Sequence, residues 1–390
     1  MSFALTALIL LPLGIGVYAY LVYPLLLRVA ASNTPGIVSS APDPAWPFIT
    51  ITVPCYNEQQ SIGATLEALL AVDYPPDRRQ IVVISDASSD GTDDIVRSFS
   101  DRGVELLRLD ERRGKSAAEN AAGRVARGEI IVNTDATIRI LPTALKALIR
   151  AFADPRVGVA SGRDVSVASV DALSSTGQAS GESGYVGYEM NIRALETRVK
   201  SIVGASGCFY GIRASLYDSQ FPETLSRDFA SALMAEEHGY RAVSVNEAVC
   251  LVPQTKSLNS EFRRKIRTMA RGLQTLWFKR HLLNPFTHGT FAWMLFSHKL
   301  CRWLVYPALP IAGVALIIAS IHSNGWLLLL TASVVGCALG VAGMRWPAAR
   351  SAPRLVRIAG FALASNIAGI LAWGQVLRNR RLAVWEPTRR

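Results

Sequence analysis

Three polar clusters each follow a β-branched apolar run in this chain. PCYNE (54–58) follows residues 48–53, SDASSDGT (85–92) follows 81–84, and NTDAT (133–137) follows 130–132. Carboxylates and hydroxyls directly after buried strands are better placed for binding than for folding, because ligands of parallel sheets sit beyond the carboxyl ends of the strands. Lys115 follows Gly114 at the start of a helical pattern, where an amine and exposed N–H groups both favour a phosphate. Asp90 with Gly91 suits a tight turn and helix cap as well as a ligand contact. Asp228, just before Phe229, Leu233 and Met234, can open a helix. In FRRKIRTMARGLQTLW (262–277), Arg263, Arg264, Arg267 and Arg271 interleave with Ile266, Met269 and Leu273, giving one basic and one apolar face. That face suits a membrane surface, a nucleic acid or a departing diphosphate. Neither G-x-G-x-x-G nor GxxxxGK[ST] occurs, so dinucleotide and P-loop readings lose their usual phosphate cradle.

The elements that must carry these residues alternate. Ile62, Leu66, Leu69 and Leu70 have helical spacing after the first strand, and a second helix continues through Ile95, Val96 and Phe99. A strand at 104–109, a helix around 115–125 and a strand at 130–132 repeat the unit. Four such alternations predict an α/β fold with a mostly parallel sheet covered on both faces.

The chain has 390 residues, 50% hydrophobic and only 18% charged, with a mean hydropathy of +0.24. Soluble domains carry about a quarter charged residues, so part of this chain belongs in lipid. Residues 3–27 hold no charge and are long enough to span a bilayer; no basic residue precedes them, which argues for an uncleaved anchor over a signal peptide. Three further spans are predicted at 303–321, 326–344 and, more weakly, 358–377, where Asn366 and Gln375 interrupt the run. The chain then divides into an anchor (1–30), an α/β insert (47–255), basic amphipathic and interfacial helices (256–300), C-terminal spans (301–379) and a basic tail (380–390). Within 281–299, His288 and His298 read as interfacial beside Trp293.

The positive-inside rule places the N-terminus outside and the insert in the cytoplasm. It also puts the basic connection with Arg345, Arg350, Arg354 and Arg357 inside, but the five arginines of 378–390 outside. Either 358–377 is re-entrant or the tail is an exception. The net charge of +11 is unevenly distributed: from Lys256 onward there are 19 Lys+Arg against 2 Asp+Glu, leaving 22 against 28 before it. The basic excess therefore lies where the chain meets membrane, which points to lipid and phosphate partners and away from nucleic acid. The five scattered cysteines, without CxxC spacing, suggest neither a disulfide framework nor a zinc site.

Taken in order, VPCYNE (53–58), ISDASSDGT (84–92), RRGKSAAENAA (112–122), IVNTDAT (131–137), GASGCFYGIR (204–213) and LSRDFASALMAEEHGYRAV (225–243) resemble the family 2 glycosyltransferases of GT-A fold. The likeness covers roughly 47–277 and is to membrane-bound exopolysaccharide, chitin-oligosaccharide, poly-N-acetylglucosamine and hyaluronan synthase-like enzymes. It implies that Pro54, Tyr56, Glu58, Asp86, Asp90, Lys115, Thr134 and Asp135 hold a nucleotide-diphospho-sugar, with a UDP-sugar the leading candidate and Tyr56, Glu58 and Asp86 at the nucleoside. Asp135 corresponds to the first aspartate of the family's DxD motif and would bind Mg²⁺ or Mn²⁺; Thr137 stands where the second aspartate belongs. Asp228 corresponds to the general base of an inverting displacement, and Arg227 stands beside it where the family has an acid. Ser206, Gly207 and Cys208 would lie near the sugar, with Arg264, Arg267 and Arg271 toward acceptor or diphosphate. Gln274 and Trp277 do not reproduce the QxxRW motif of processive members. The resemblance implies an inverting glycosyltransferase of the bacterial inner membrane, with a cytosolic catalytic domain, acting on a glycan or lipid-linked acceptor alongside other polysaccharide-synthesis proteins. The alternative is a catalytically degenerate nucleotide-sugar-binding scaffold or sensor.

Overall fold

The computed structural model describes residues 3–32, 46–167, 184–253, 258–346 and 353–378. The chain divides into two compact units. One gathers Met1–Leu26, Ser257–Leu273 and Leu295–Arg380; the other gathers Leu27–Lys256, Gln274–Met294 and Arg381–Arg390. The chain begins with helices α1 (Phe3–Val17) and α2 (Tyr23–Ser32), joined by a π turn at Tyr18–Val22. Together they run 30 residues, enough to cross a membrane.

The α/β unit is built on β1 (Ile49–Cys55), β2 (Arg79–Ser85), β3 (Val104–Arg108) and β4 (Ile130–Thr134). Helices α3 (Ile62–Leu70), α4 (Thr92–Arg97) and α5 (Lys115–Val125) alternate with them. The predicted alternation is present, and these four strands pair in parallel. All seven residues of β1 are buried, as continuous apolar runs require in a sheet covered on both faces. The two threonines in that run stay satisfied: Thr50 Oγ1 donates to Gln80 and Thr52 Oγ1 to Asn133.

Further on come β5 (Arg139–Ile140), α6 (Ala144–Arg150), β6 (Val157–Val167), α7 (Gly184–Val199), β7 (Phe209–Arg213), α8 (Arg227–Glu237) and β8 (Arg241–Pro253). The eight strands form one sheet in the order β3-β2-β1-β4-β7-β6-β8-β5. The second half is mixed, because β7 runs antiparallel to both β4 and β6. The carboxyl ends of β1, β2 and β4 therefore share one edge, with the turn before β7 beside them.

The other long helices are α9 (Leu258–Phe278), α10 (Pro285–Leu295), α11 (Cys301–Ser320), α12 (Asn324–Met344) and α13 (Arg354–Leu377). The third predicted C-terminal span is an unbroken 24-residue helix; Asn366 does not interrupt it because its amide donates to Ala362 O of the same helix. The second apolar stretch begins earlier than the sequence suggests, running Pro285–Ser320 through a kink at Gly289 and a π turn at Phe296–Leu300. His298, expected at an interface, is instead 1% exposed and packs near Tyr23. Within the helical unit, α12 and α13 approach at glycines: a Cβ on Gly343 would lie 2.2 Å from Val356 O and 2.9 Å from Gly360 Cα.

Candidate active site

The β1 and β2 loops lock together first. Cys55 faces Ser85 in register, and Asp86 N donates to Cys55 O. Asn57 and Ala87 both adopt left-handed backbone, with φ of 51° and 56°, and Asn57 Oδ1 accepts from Ser89 N. An alanine there is costly and persists only where its surroundings impose it. Pro54 is buried in β1, and Tyr56, just after it, lies under the Arg112 guanidinium at 3.9 Å. Glu58 is 9% exposed and accepts from Ser61 Oγ at 2.7 Å.

Two expected ligand residues also hold local structure. Asp90 accepts from Thr92 N, Thr92 Oγ1 and Gln59 N; burial opposes its ionised form, but these bonds outweigh it and lower its pKa. Asp86 accepts from Arg113 N and Gly114 N, both at 2.8 Å. The two N–H groups just before Lys115 are thus taken by Asp86. Gly114 enters α5 at φ +97°, which a glycine adopts freely. Of the cations in this turn, Lys115 is the one that reaches Asp135.

Lys115 Nζ reaches Asp135 Oδ1 at 2.5 Å and Gly207 O at 2.9 Å, with both charged side chains 22% exposed. Asp135 follows β4 directly, and Thr134 before it is buried with its Oγ1 unpartnered. Gly207 lies against the base candidate, since a Cβ there would fall 2.7 Å from Asp228 Oδ2. Asp228 opens α8 as expected, and its Oδ1 accepts from Ser226 Oγ at 2.5 Å. Ser206 holds the intervening turn: its Oγ donates to Asp164 at 2.6 Å and accepts from Cys208 N at 3.1 Å. Lys115, Asp135, Gly207 and Asp228 therefore converge, although they come from α5, β4, the turn before β7, and α8.

Residues 50–220 match the model of the family "Glycosyl transferase family 2". The chain carries a family 2 glycosyltransferase domain. Across 96% of its length it superposes on 99% of a mannosyltransferase from Pyrobaculum calidifontis solved with GDP-Man and Mn²⁺, with a TM-score of 0.75 and 25% identity. It is also 26% identical over 234 residues to a poly-beta-1,6-N-acetyl-D-glucosamine synthase of Staphylococcus aureus, covering 58% of this chain and 55% of that one. The glycosyltransferase AglE of Haloferax volcanii is 34% identical over 91 residues, 23% of this chain and 30% of its own. The chain spans less than two thirds of the length of the curated relatives it matches.

The glycosyltransferase domain thus has a GT-A fold, with one long apolar helix before it and three after it. Sequence reasoning missed its second layer. Glu119, one helical turn beyond Lys115, is 3% exposed; burial lifts its pKa, against the pull of Lys115 and Arg227. Arg227 is 4% exposed and lies 3.8 Å from Glu119, bonding Asn120 Oδ1 and Asp218 O and packing over Tyr217. Asp164 is likewise raised by burial, with Arg193, Ser206 and Cys250 acting against it. The i, i+4 spacing of Lys115 and Glu119 was the available signal for the first of these.

Arg264 turns along α9 onto Glu261 at 2.7 Å, and Arg267 and Arg271 occupy the same helix in the helical unit. Among the described residues, no three His, Cys, Asp or Glu side chains form a metal cluster. Asp135 offers one carboxylate and Thr137 one hydroxyl. That pair fits a hard divalent cation when diphosphate oxygens complete the shell.

Proposed function

We propose that this protein is a membrane-bound inverting glycosyltransferase that transfers a sugar from a nucleotide-diphospho-sugar to a glycan or lipid-linked acceptor in cell-surface polysaccharide synthesis. The observation that carries the reading is the convergence of Lys115, Asp135 and Gly207 beside Asp228. Asp228 acts as general base, taking the acceptor hydroxyl proton as that oxygen attacks the anomeric carbon. Tyr56, Glu58 and Asp86 lie toward the nucleoside, and Lys115 toward the diphosphate. Asp135, with Thr137, would hold Mg²⁺ or Mn²⁺, which when bound supplies charge to neutralise the departing diphosphate. The Pyrobaculum enzyme's GDP-Man and Mn²⁺ place GDP-sugars beside UDP-sugars among the donors to test. With four apolar helices of spanning length, the chain fits a multi-pass protein of a bacterial inner membrane with its catalytic domain in the cytosol.

The test is turnover of UDP- and GDP-sugars by detergent-purified protein, with products identified by mass. Asp228→Asn is expected to lower kcat about 10²–10⁴-fold with donor affinity retained. No transfer or hydrolysis from any donor, with the variant indistinguishable, would refute the enzyme reading; nucleotide binding in that case would favour the scaffold or sensor alternative.

A further inference from the structure

We infer that Lys115 is an internal competitor for the cation position, so that a divalent metal reaches Asp135 in company with a nucleotide diphosphate and only weakly alone. The inference rests on the donor reading above and goes on to the order and coupling of binding. Lys115 Nζ is held by two acceptors, Asp135 Oδ1 at 2.5 Å and Gly207 O at 2.9 Å. The carboxylate of the metal position is therefore already paired with a cation.

A dication approaching Asp135 must sit beside a fixed positive charge or displace it. With Thr137 in the second DxD position, no further carboxylate in that turn offsets the repulsion. A nucleotide diphosphate removes the conflict, because its oxygens give the ammonium new acceptors and give the metal the ligands the turn lacks. The geometry permits the exchange. Lys115 is the first residue of α5, with a long unbranched side chain that can reorient without moving the helix. The neighbouring Arg113 and Gly114 N–H groups are held by Asp86, and Lys115 is the cation of this turn in contact with Asp135.

The test measures Mn²⁺ binding by the electron paramagnetic resonance signal of free Mn²⁺, using the full chain in detergent, with and without saturating GDP or UDP. Wild-type protein is expected to bind Mn²⁺ at least 10-fold more tightly with the effective nucleotide, after correction for Mn²⁺ held by nucleotide in solution. Lys115→Met is expected to bind Mn²⁺ at least 10-fold more tightly than wild type without nucleotide, and Lys115→Arg to behave as wild type. Adding Asp135→Asn to Lys115→Met should abolish the gain. Equal wild-type affinity with and without nucleotide overturns the inference, whichever variants fold. So does Lys115→Met binding no tighter than wild type, or a gain that survives Asp135→Asn. If neither nucleotide binds, the donor reading falls with it; if nucleotide binds and coupling is absent, only the competitor role falls.

Discussion

Replacing Arg227 with methionine separates a buried ion pair from a surface one. The guanidinium is 4% exposed, pairs with Glu119 at 3.8 Å, bonds Asn120 Oδ1 and Asp218 O, and lies over Tyr217 at 4.5 Å and Phe221 at 5.0 Å. Methionine keeps much of the apolar volume but leaves Glu119 buried without its arginine. Breaking a buried pair from one side costs about 3–5 kcal/mol. For a domain of this size, about 2–4 °C of Tm per kcal/mol makes the expected drop about 6–20 °C. Removing the second charge with Glu119→Gln should recover part of it, with a coupling of about 0.5–3 kcal/mol in the double-mutant cycle. The assay is thermal unfolding of the four detergent-purified proteins at pH 7. A single variant melting within about 2 °C of wild type, or a strictly additive cycle, would refute the claim that these charges hold each other inside the domain.

Three other substitutions test separate parts of the structure. Gly207→Ala puts a methyl 2.7 Å from Asp228 Oδ2, so kcat should fall about 10²-fold while donor affinity, measured by calorimetry, stays within about 2-fold. Burial raises the Asp164 pKa, so in the folded protein it keeps a proton that the unfolded chain loses above about pH 4. That contribution is present at low pH and fades as pH rises through the raised value. The Tm of Asp164→Asn relative to wild type should therefore increase between pH 4.5 and 8, and a flat difference would contradict it. Gly343→Ala brings a methyl to 2.2 Å from Val356 O, forcing α12 and α13 apart at a cost of about 1–3 kcal/mol in thermal unfolding.

The first half of the fold was legible because β1, β2 and β4 are continuous apolar runs buried on both faces, each ending at a polar turn. The second half was less so. β5 is two residues long, β7 pairs antiparallel on both sides, and β8 pairs parallel with β6 but antiparallel with β5, so these strands leave no clean period. The site's individual residues were readable from the resemblance, but their bonding was not. Asp86, assigned to the nucleoside by resemblance, also holds the turn at Arg113 and Gly114. Arg227, read only as a departure from the family's acid, is buried against Glu119 and Asn120, more than 100 residues away in sequence, and against Asp218. Such contacts depend on how α5 and α8 meet, which single-chain periodicity does not encode.

The two departures from the family pattern can be read together as one charge arrangement. Thr137 removes a carboxylate from the metal turn, and Arg227 replaces an acid with a cation; both make the site more positive. Glu119 answers Arg227 from α5, leaving two cations, Lys115 and Arg227, against three carboxylates, Glu119, Asp135 and Asp228. A dication added to that set leaves uncompensated positive charge in a site largely withdrawn from water, where such charge is costly. A diphosphate added alone leaves the opposite excess beside Asp228. Metal and the two charges of a nucleotide-sugar diphosphate arriving together return the set to its resting charge, a balance that depends on the Lys115 ammonium remaining in the site.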